Sequence, residues 1–307
     1  MTGLIVIAGP TASGKSALAM RCAEANGGVI INADSMQLYR ELRILSARPS
    51  PEDEARAPHR LYGILDAEDP ASAGRWLELA GAAIGQARSQ RRPAIVVGGT
   101  GLYLHALLHG LAPVPEIPAA VRNAARARGA ALGAPALHAE LAERDPAMAA
   151  RLRPTDRQRL IRAYEVIVGT GRSLAGWLEA PPVRVELPKP WTGIALMPPR
   201  AALYDRIGRR LRAMIEQGGL AEVEALRRRR LAPDLPLMRA VAVPELLAHL
   251  EGRIDLASAI ERAIVQTRRY AKRQLTWLRH QLPELKRLEA FGDEVDLPGV
   301  LRCAGRG

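Results

Sequence analysis

The segment "GPTASGKS", Gly9 to Ser16, directly follows the apolar run "LIVIA". Gly-x-x-x-x-Gly-Lys-Ser at such a place is the pattern of a phosphate-cradling P-loop between a strand and a helix. Gly9 and Gly14 permit backbone conformations in which successive N–H groups turn inward, and a helix starting near Lys15 adds its positive dipole end. Lys15 supplies a point charge and Ser16 a hydroxyl suited to Mg2+. Gly9, Pro10, Thr11, Ala12, Ser13, Gly14, Lys15 and Ser16 together form the expected diphosphate cradle. The motif leaves open whether that diphosphate belongs to a nucleotide.

A P-loop of this kind requires a parallel sheet around it, and the chain supplies one. From Leu4 to about Leu111, strand-like runs ("LIVIAG", "GVIINAD", "AIVVGGT") alternate with helical stretches ("KSALAMRCAEA", "AGRWLELAGAAIGQA"). Such alternation predicts βαβ units, with the continuous apolar runs buried on both faces of the sheet. Proline-rich edges, Ala112–Pro118 and Ala180–Pro190, bracket an Ala-, Arg- and Leu-rich segment that reads as helices alone. The chain then returns to one more strand, "TGIALM", and finishes in long helices. The expected organisation is a first core part over 1–115, an inserted helical domain over 116–188, and core completion with basic C-terminal helices over 189–307.

The strand "AIVVGGT" ends in Gly98, Gly99 and Thr100, so it lacks the acid that holds Mg2+ in a P-loop NTPase. The strand "GVIINADS" does end in an acid, Asp34, at the edge where open α/β sheets bind ligands. Asp34 has three readings: metal ligand, general base, or cap of the helix that follows.

Forty-four Lys and Arg stand against 32 Asp and Glu, a net charge of +12 that favours a polyanionic partner. An Arg- and Ala-rich composition alone would give the same excess. On the helix opened by Asp255, Leu256, Ile260, Ile264, Ala271, Leu275 and Leu278 form one stripe, with Arg262, Arg269, Arg273 and His280 opposite. Periodicity alone leaves that charged face open between simple solvation and a polyanion. The run Arg227–Arg230 reads as a solvated helix end, and Trp277 as partly buried core. No apolar run reaches the length of a membrane span, and the start of the chain leaves no room for a signal peptide, so a cytoplasmic protein is expected. Cys22 and Cys303 have no metal-ligand spacing and are given no role.

Five blocks, "GPTASGKS", "NADSMQLY", "VVGGTGLYLHALLHGL", "DRQRLIRAYEV" and "TRRYAKRQLTWLR", occur in the order and spacing of the bacterial tRNA dimethylallyltransferases, also called tRNA isopentenyltransferases. The chain resembles that family from about residue 4 to about residue 282. The resemblance implies an α/β fold, a P-loop NTPase-like parallel-sheet core with an inserted all-helical subdomain. In the family the P-loop holds dimethylallyl diphosphate, and the prenyl group passes to N6 of the adenosine 3′ of a tRNA anticodon. By position, Asp34 becomes the base, with Lys15, Thr100 and Arg206 stabilising the diphosphate and Ser16 holding Mg2+.

The same resemblance assigns tRNA contacts to Asp34, Ser35, Met36, Gln37, Thr100 and Arg122. It adds Gln158, Arg159, Leu160, Ile161, Arg162, Arg239, Arg269, Lys272, Arg273 and Gln274. The implied partners are the tRNA anticodon stem-loop and dimethylallyl diphosphate, with no membrane and a monomeric state. Two segments depart from the family pattern: "LRILSARP", Leu42–Pro49, and "RAVAVPE", Arg239–Glu245. Two other classes share parts of the pattern. A small-molecule P-loop kinase would use ATP, and a non-catalytic RNA-binding protein would use the charge alone.

Overall fold

The computed structural model describes residues 3–298, so Cys303 lies outside the described residues. Six parallel strands form one sheet in the order β3-β2-β4-β1-β5-β6. They are β1 (Leu4–Ala8), β2 (Val29–Asn32), β3 (His59–Arg60), β4 (Ala94–Gly98), β5 (Trp191–Leu196) and β6 (Lys286–Leu288). Every residue of β1, β2 and β4 is buried, as continuous apolar strands in the middle of a parallel sheet must be. The two edge strands, β3 and β6, are short and polar.

The helices are α1 (Lys15–Asn26), α2 (Pro51–Arg56), α3 (Ala73–Ser89), α4 (Gly101–His109), α5 (Ala119–Arg144) and α6 (Pro146–Ala149). They continue with α7 (Arg157–Thr170), α8 (Leu174–Leu178), α9 (Arg200–Met214), α10 (Leu220–Arg228), α11 (Val243–Leu250) and α12 (Leu256–Gln281). Among the described residues, no helix is long and apolar enough to cross a membrane. The α1 helix lays Leu18, Ala19 and Cys22 on Ile5, Ile7, Ile30, Ile95 and Ile194 of the sheet. Burial there pushes the Cys22 thiol up to about 11, which leaves it an inert small hydrophobe. On α3, fully buried Trp76 stacks on Tyr103 with ring centroids 4.6 Å apart and donates its indole N–H to Asn32 O at 2.8 Å.

Two compact units result: residues 1–108 with 185–307, and residues 109–184. The second is all helical, with its own core of Ala125, Leu137, Leu141, Met148, Leu152, Leu160, Ala163 and Tyr164. Its longest helix, α5, breaks at Gly133, whose φ is 74°, two residues before Pro135. Buried Asp145 caps α6 by accepting from Met148 N at 3.0 Å. At its base, Leu111 and Val183 exchange backbone hydrogen bonds of 3.0 and 2.8 Å.

The expected stripe on α12 holds at Ile264, Ala271, Leu275 and Leu278 and needs correction at its start. Its buried residues are Ala259, Ala263, Ile264, Thr267, Ala271, Gln274, Leu275 and Leu278, while Leu256 and Ile260 stay partly exposed. Ala259 and Ala263, not Leu256 and Ile260, complete the buried face, and α12 packs against α9 and α11.

Candidate active site at the carboxyl edge of the sheet

The loop after β1 takes its shape from two left-handed residues, Ala12 at φ 63° and Gly14 at φ 82°. Gly14 is doubly constrained, since a Cβ there would stand 2.7 Å from Asp293 Oδ1 and 2.8 Å from Gly292 N. Gly9 is required because its Cβ would stand 2.6 Å from the Ser13 hydroxyl. That hydroxyl is buried without a hydrogen-bond partner. Lys15, the first residue of α1, donates to Pro10 O at 3.4 Å. Burial is the main cause that lowers its pKa to about 8; the Asp34 charge opposes the shift and Arg210 adds to it.

Asp34 follows β2 in a turn built by buried Asn32. The Asn32 side chain accepts from Asp34 N at 2.7 Å and donates to Asp34 O and Leu61 O, both at 2.9 Å. Asp34 Oδ1 accepts from Met36 N at 3.0 Å, so one carboxylate oxygen performs the local capping. The other, Oδ2, accepts no hydrogen bond from the described residues. Thr100 is tied to the same turn: its hydroxyl accepts from Ser35 N at 2.9 Å, and its own N–H donates to Ala33 O at 3.2 Å. Gly98 makes that approach possible, since a Cβ there would stand 2.0 Å from Ala33 O. The Tyr62, Tyr103 and Tyr270 hydroxyls are all held in the neutral form, by burial first in each case, with the Asp34 charge contributing.

Arg206 on α9 pairs with Asp293 at 2.9 Å and lies over the Phe291 ring at 4.7 Å. One helical turn on, Arg210 has its pKa pushed down by burial and then by Arg206, while its side chain is still open to solvent. Arg210 thus lies within electrostatic range of both Lys15 and Arg206 and links the two in a line of cations. Sequence reasoning passed over Arg210, although its i,i+4 spacing from Arg206 puts both on one helix face. The described residues hold no cluster of three His, Cys, Asp or Glu that could cage a metal. Ser16, exposed at the loop, is a hard oxygen donor of the kind Mg2+ takes alongside substrate phosphates.

The expected RNA-contacting residues divide sharply. Ser35 and Met36 are partly exposed, but Gln37 is buried and donates to Ser46 O and Ala47 O, both at 2.9 Å. Its carboxamide therefore serves the "LRILSARP" segment, which Glu222 grips from α10 by accepting from Arg43, Ile44 and Leu45 N at 2.8, 2.7 and 3.0 Å. Arg239 is exposed on a short 3-10 turn. In the helical unit, Gln158, Arg159 and Arg162 are exposed, and Arg122 pairs with Glu116 at 3.8 Å. Leu160 is wholly buried and Ile161 packs on the same core, so these two side chains hold the helical unit together.

On α12, Arg269, Lys272 and Arg273 are exposed and line a groove of about 510 Å³ with Thr276, Trp277, His280 and Gln281. Trp277 is partly buried; a Cβ on Gly101 would stand 2.3 Å from its ring. Gln274, expected among the RNA contacts, is buried on the inner side and hydrogen-bonded at both ends of its carboxamide. Arg229, expected to be a solvated helix end, pairs instead with Glu41 and Asp66 at 2.6 Å and with Glu68 at 3.4 Å.

A P-loop after β1 and a carboxylate after β2, both at the carboxyl edge of a parallel sheet, place the chain in the P-loop class of α/β proteins. The chain belongs to the IPP transferase family, whose model matches residues 37–281; a second model, isopentenyl transferase, matches residues 2–70. A tRNA dimethylallyltransferase of Rhodospirillum rubrum is 60% identical, over 91% of this chain and 86% of that protein. One from Nitrobacter hamburgensis is 54% identical, over 97% and 94%. Among solved structures, the tRNA isopentenylpyrophosphate transferase of Bacillus halodurans matches at 31% identity and TM-score 0.69, over 99% of this chain and 95% of that one. A eukaryotic dimethylallyltransferase shares the fold at TM-score 0.81 and 24% identity. Neither a small-molecule kinase nor a non-catalytic RNA-binding protein is favoured by these matches.

Proposed function

We propose that this protein transfers the dimethylallyl group of dimethylallyl diphosphate to N6 of the adenosine immediately 3′ of the anticodon in tRNA, releasing diphosphate. The observation that carries the reading is Asp34 Oδ2, unpartnered among the described residues, in electrostatic range of Lys15 at a P-loop. An aromatic exocyclic amine is a weak nucleophile, so its proton must leave as the new C–N bond forms. Asp34 takes that proton. The C–O bond to the diphosphate breaks in the same displacement, and its electron pair leaves with the diphosphate oxygen.

Lys15, the loop N–H groups, Arg206 and Thr100 stabilise the growing negative charge, and Arg210 extends the cluster. Preorganised charge of this kind usually lowers the barrier to such a displacement more than any other single effect. Ser16 would hold Mg2+ together with the donor's phosphates, where the ion supplies charge neutralisation to the leaving group. Arg269, Lys272 and Arg273 face the RNA backbone, with Gln158, Arg159 and Arg162 serving the same polyanion from the helical unit. The target base must leave its stack, which costs a few kcal/mol and is cheapest in a loop. With tRNA as the acceptor, the reaction belongs in the cytoplasm.

Incubation with labelled dimethylallyl diphosphate, Mg2+ and unmodified tRNA, with and without ATP, tests the proposal. Label should enter tRNA at the same rate in both arms. Incorporation that depends on ATP, or tRNA-stimulated ATP hydrolysis without incorporation, would overturn it.

A further inference from the structure

Gln274 sits on α12, one residue after Arg273, and is only 7% exposed. Its Oε1 accepts from Thr11 N in the P-loop at 2.9 Å, and its Nε2 donates to Gly99 O, in the turn after β4, at 2.9 Å. Those two loops follow the neighbouring parallel strands β1 and β4 and are separated in the chain by β2, β3 and β4. A Cβ on Gly99 would stand 2.4 Å from Gln274 Nε2 and 3.1 Å from Gly9 O, so the glycine is what admits the carboxamide between the loops. The next residue, Thr100, holds the Asp34 turn through Ser35. Each end of this buried amide is thus engaged by backbone from a different loop, and its burial keeps it away from an RNA bound on the outer side of α12.

We infer that Gln274 is a positioning residue for the donor site: it fixes the P-loop against the turn carrying Thr100 and commits the Thr11 N–H, which therefore does not bind phosphate. The inference rests on the proposed function for the meaning of the donor site. A helix whose outer side faces the groove of Arg269, Lys272 and Arg273 thereby sets the shape of the diphosphate cradle from its inner side. Loss of the carboxamide leaves the buried Gly99 C=O and the half-buried Thr11 N–H without their partner and lets the loops separate.

The test uses inorganic diphosphate as probe on the full chain. The variants are Gln274→Met, which keeps volume and removes both bonds, and Gln274→Glu, which keeps the acceptor for Thr11 and opposes a carboxylate to Gly99 O. Diphosphate binding by Gln274→Met should weaken about tenfold, the equivalent of one disrupted buried hydrogen bond. The KM for the donor should rise with it, and tRNA affinity should stay at the wild-type value; the Glu variant should fall between.

If Gln274→Met does not fold, the Glu variant decides: weaker diphosphate binding supports the inference and wild-type binding overturns it. In the wild-type protein, amide exchange gives an independent reading. Thr11 N–H should be protected before diphosphate is added, and free exchange there would overturn the inference. So would a loss of tRNA affinity with diphosphate binding intact. Failure of the wild-type protein to bind diphosphate at all would instead refute the proposed function.

Discussion

Lys15 makes the donor site sensitive to pH in a way that can be worked out in advance. Its pKa falls from 10.5 to about 8, chiefly because burial disfavours the cation. A drop of roughly 2.5 units corresponds to about 3 kcal/mol between the two protonation states, and partial solvent contact at Lys15 screens the effect below that ceiling. The sign follows from linkage: below pH 8 the folded protein carries the full cost of the buried cation, and between about pH 8 and 10.5 that cost is relieved, because the folded chain releases the proton first. A diphosphate reverses the shift by restoring a counter-charge.

At pH 8.5, half a unit above the pKa, about three-quarters of the Lys15 side chains are neutral, so binding should draw in about 0.7 proton per site. Calorimetric titration with inorganic diphosphate in two buffers of different ionisation enthalpy measures that uptake. Diphosphate titrates too, so the control is Lys15→Arg, which stays charged throughout this range. The wild-type protein should take up more protons than the variant at pH 8.5 and the same number at pH 6.5. Equal uptake at both pH values would remove Lys15 from the anion site.

Arg269→Ala and Arg273→Ala should weaken tRNA binding, and each should lower the magnitude of the log affinity against log salt slope by roughly 0.7 to 0.9, the signature of one lost phosphate contact. Dimethylallyl diphosphate affinity should be unchanged in both. Arg229→Ala should behave in the opposite manner: the salt slope holds, while the melting temperature falls because Glu41, Asp66 and Glu68 lose the guanidinium that gathers them. A changed slope in Arg229→Ala with none in the other two would move the RNA surface to the end of α10.

The P-loop and the inner strands were legible because their signals are local. Eight consecutive residues define the loop, and β1, β2 and β4 are unbroken apolar runs. The edge strands were not: "HR" in β3 and "KRL" in β6 carry no apolar pattern, and only their neighbours in the sheet make them strands. Asp34 was legible as a carboxylate at a strand end, but the division of labour between its two oxygens depends on the turn built by Asn32.

Gln37 and Gln274 illustrate a harder limit. Both lie in blocks that the family resemblance placed against RNA, whereas each is buried and bonded to backbone, Gln37 within the following segment and Gln274 far along the chain. Position in a motif does not say which side of an element a side chain serves. Arg229 escaped for a related reason, since its carboxylate partners lie far away in the chain, at positions 41, 66 and 68. The α12 seam was misjudged only at its start, where Leu256 and Ile260 were expected and Ala259 and Ala263 are the buried residues.

The most direct test of the account is the single-turnover rate of prenyl transfer by Asp34→Asn at saturating donor and tRNA. The amide keeps size and the acceptor for Met36 N but cannot take the N6 proton. A fall of about 10²- to 10⁴-fold is predicted, with donor, Mg2+ and tRNA affinities unchanged. A rate within a few-fold of wild type, accompanied by collapse of Mg2+ affinity, would make Asp34 a metal ligand and contradict the mechanism.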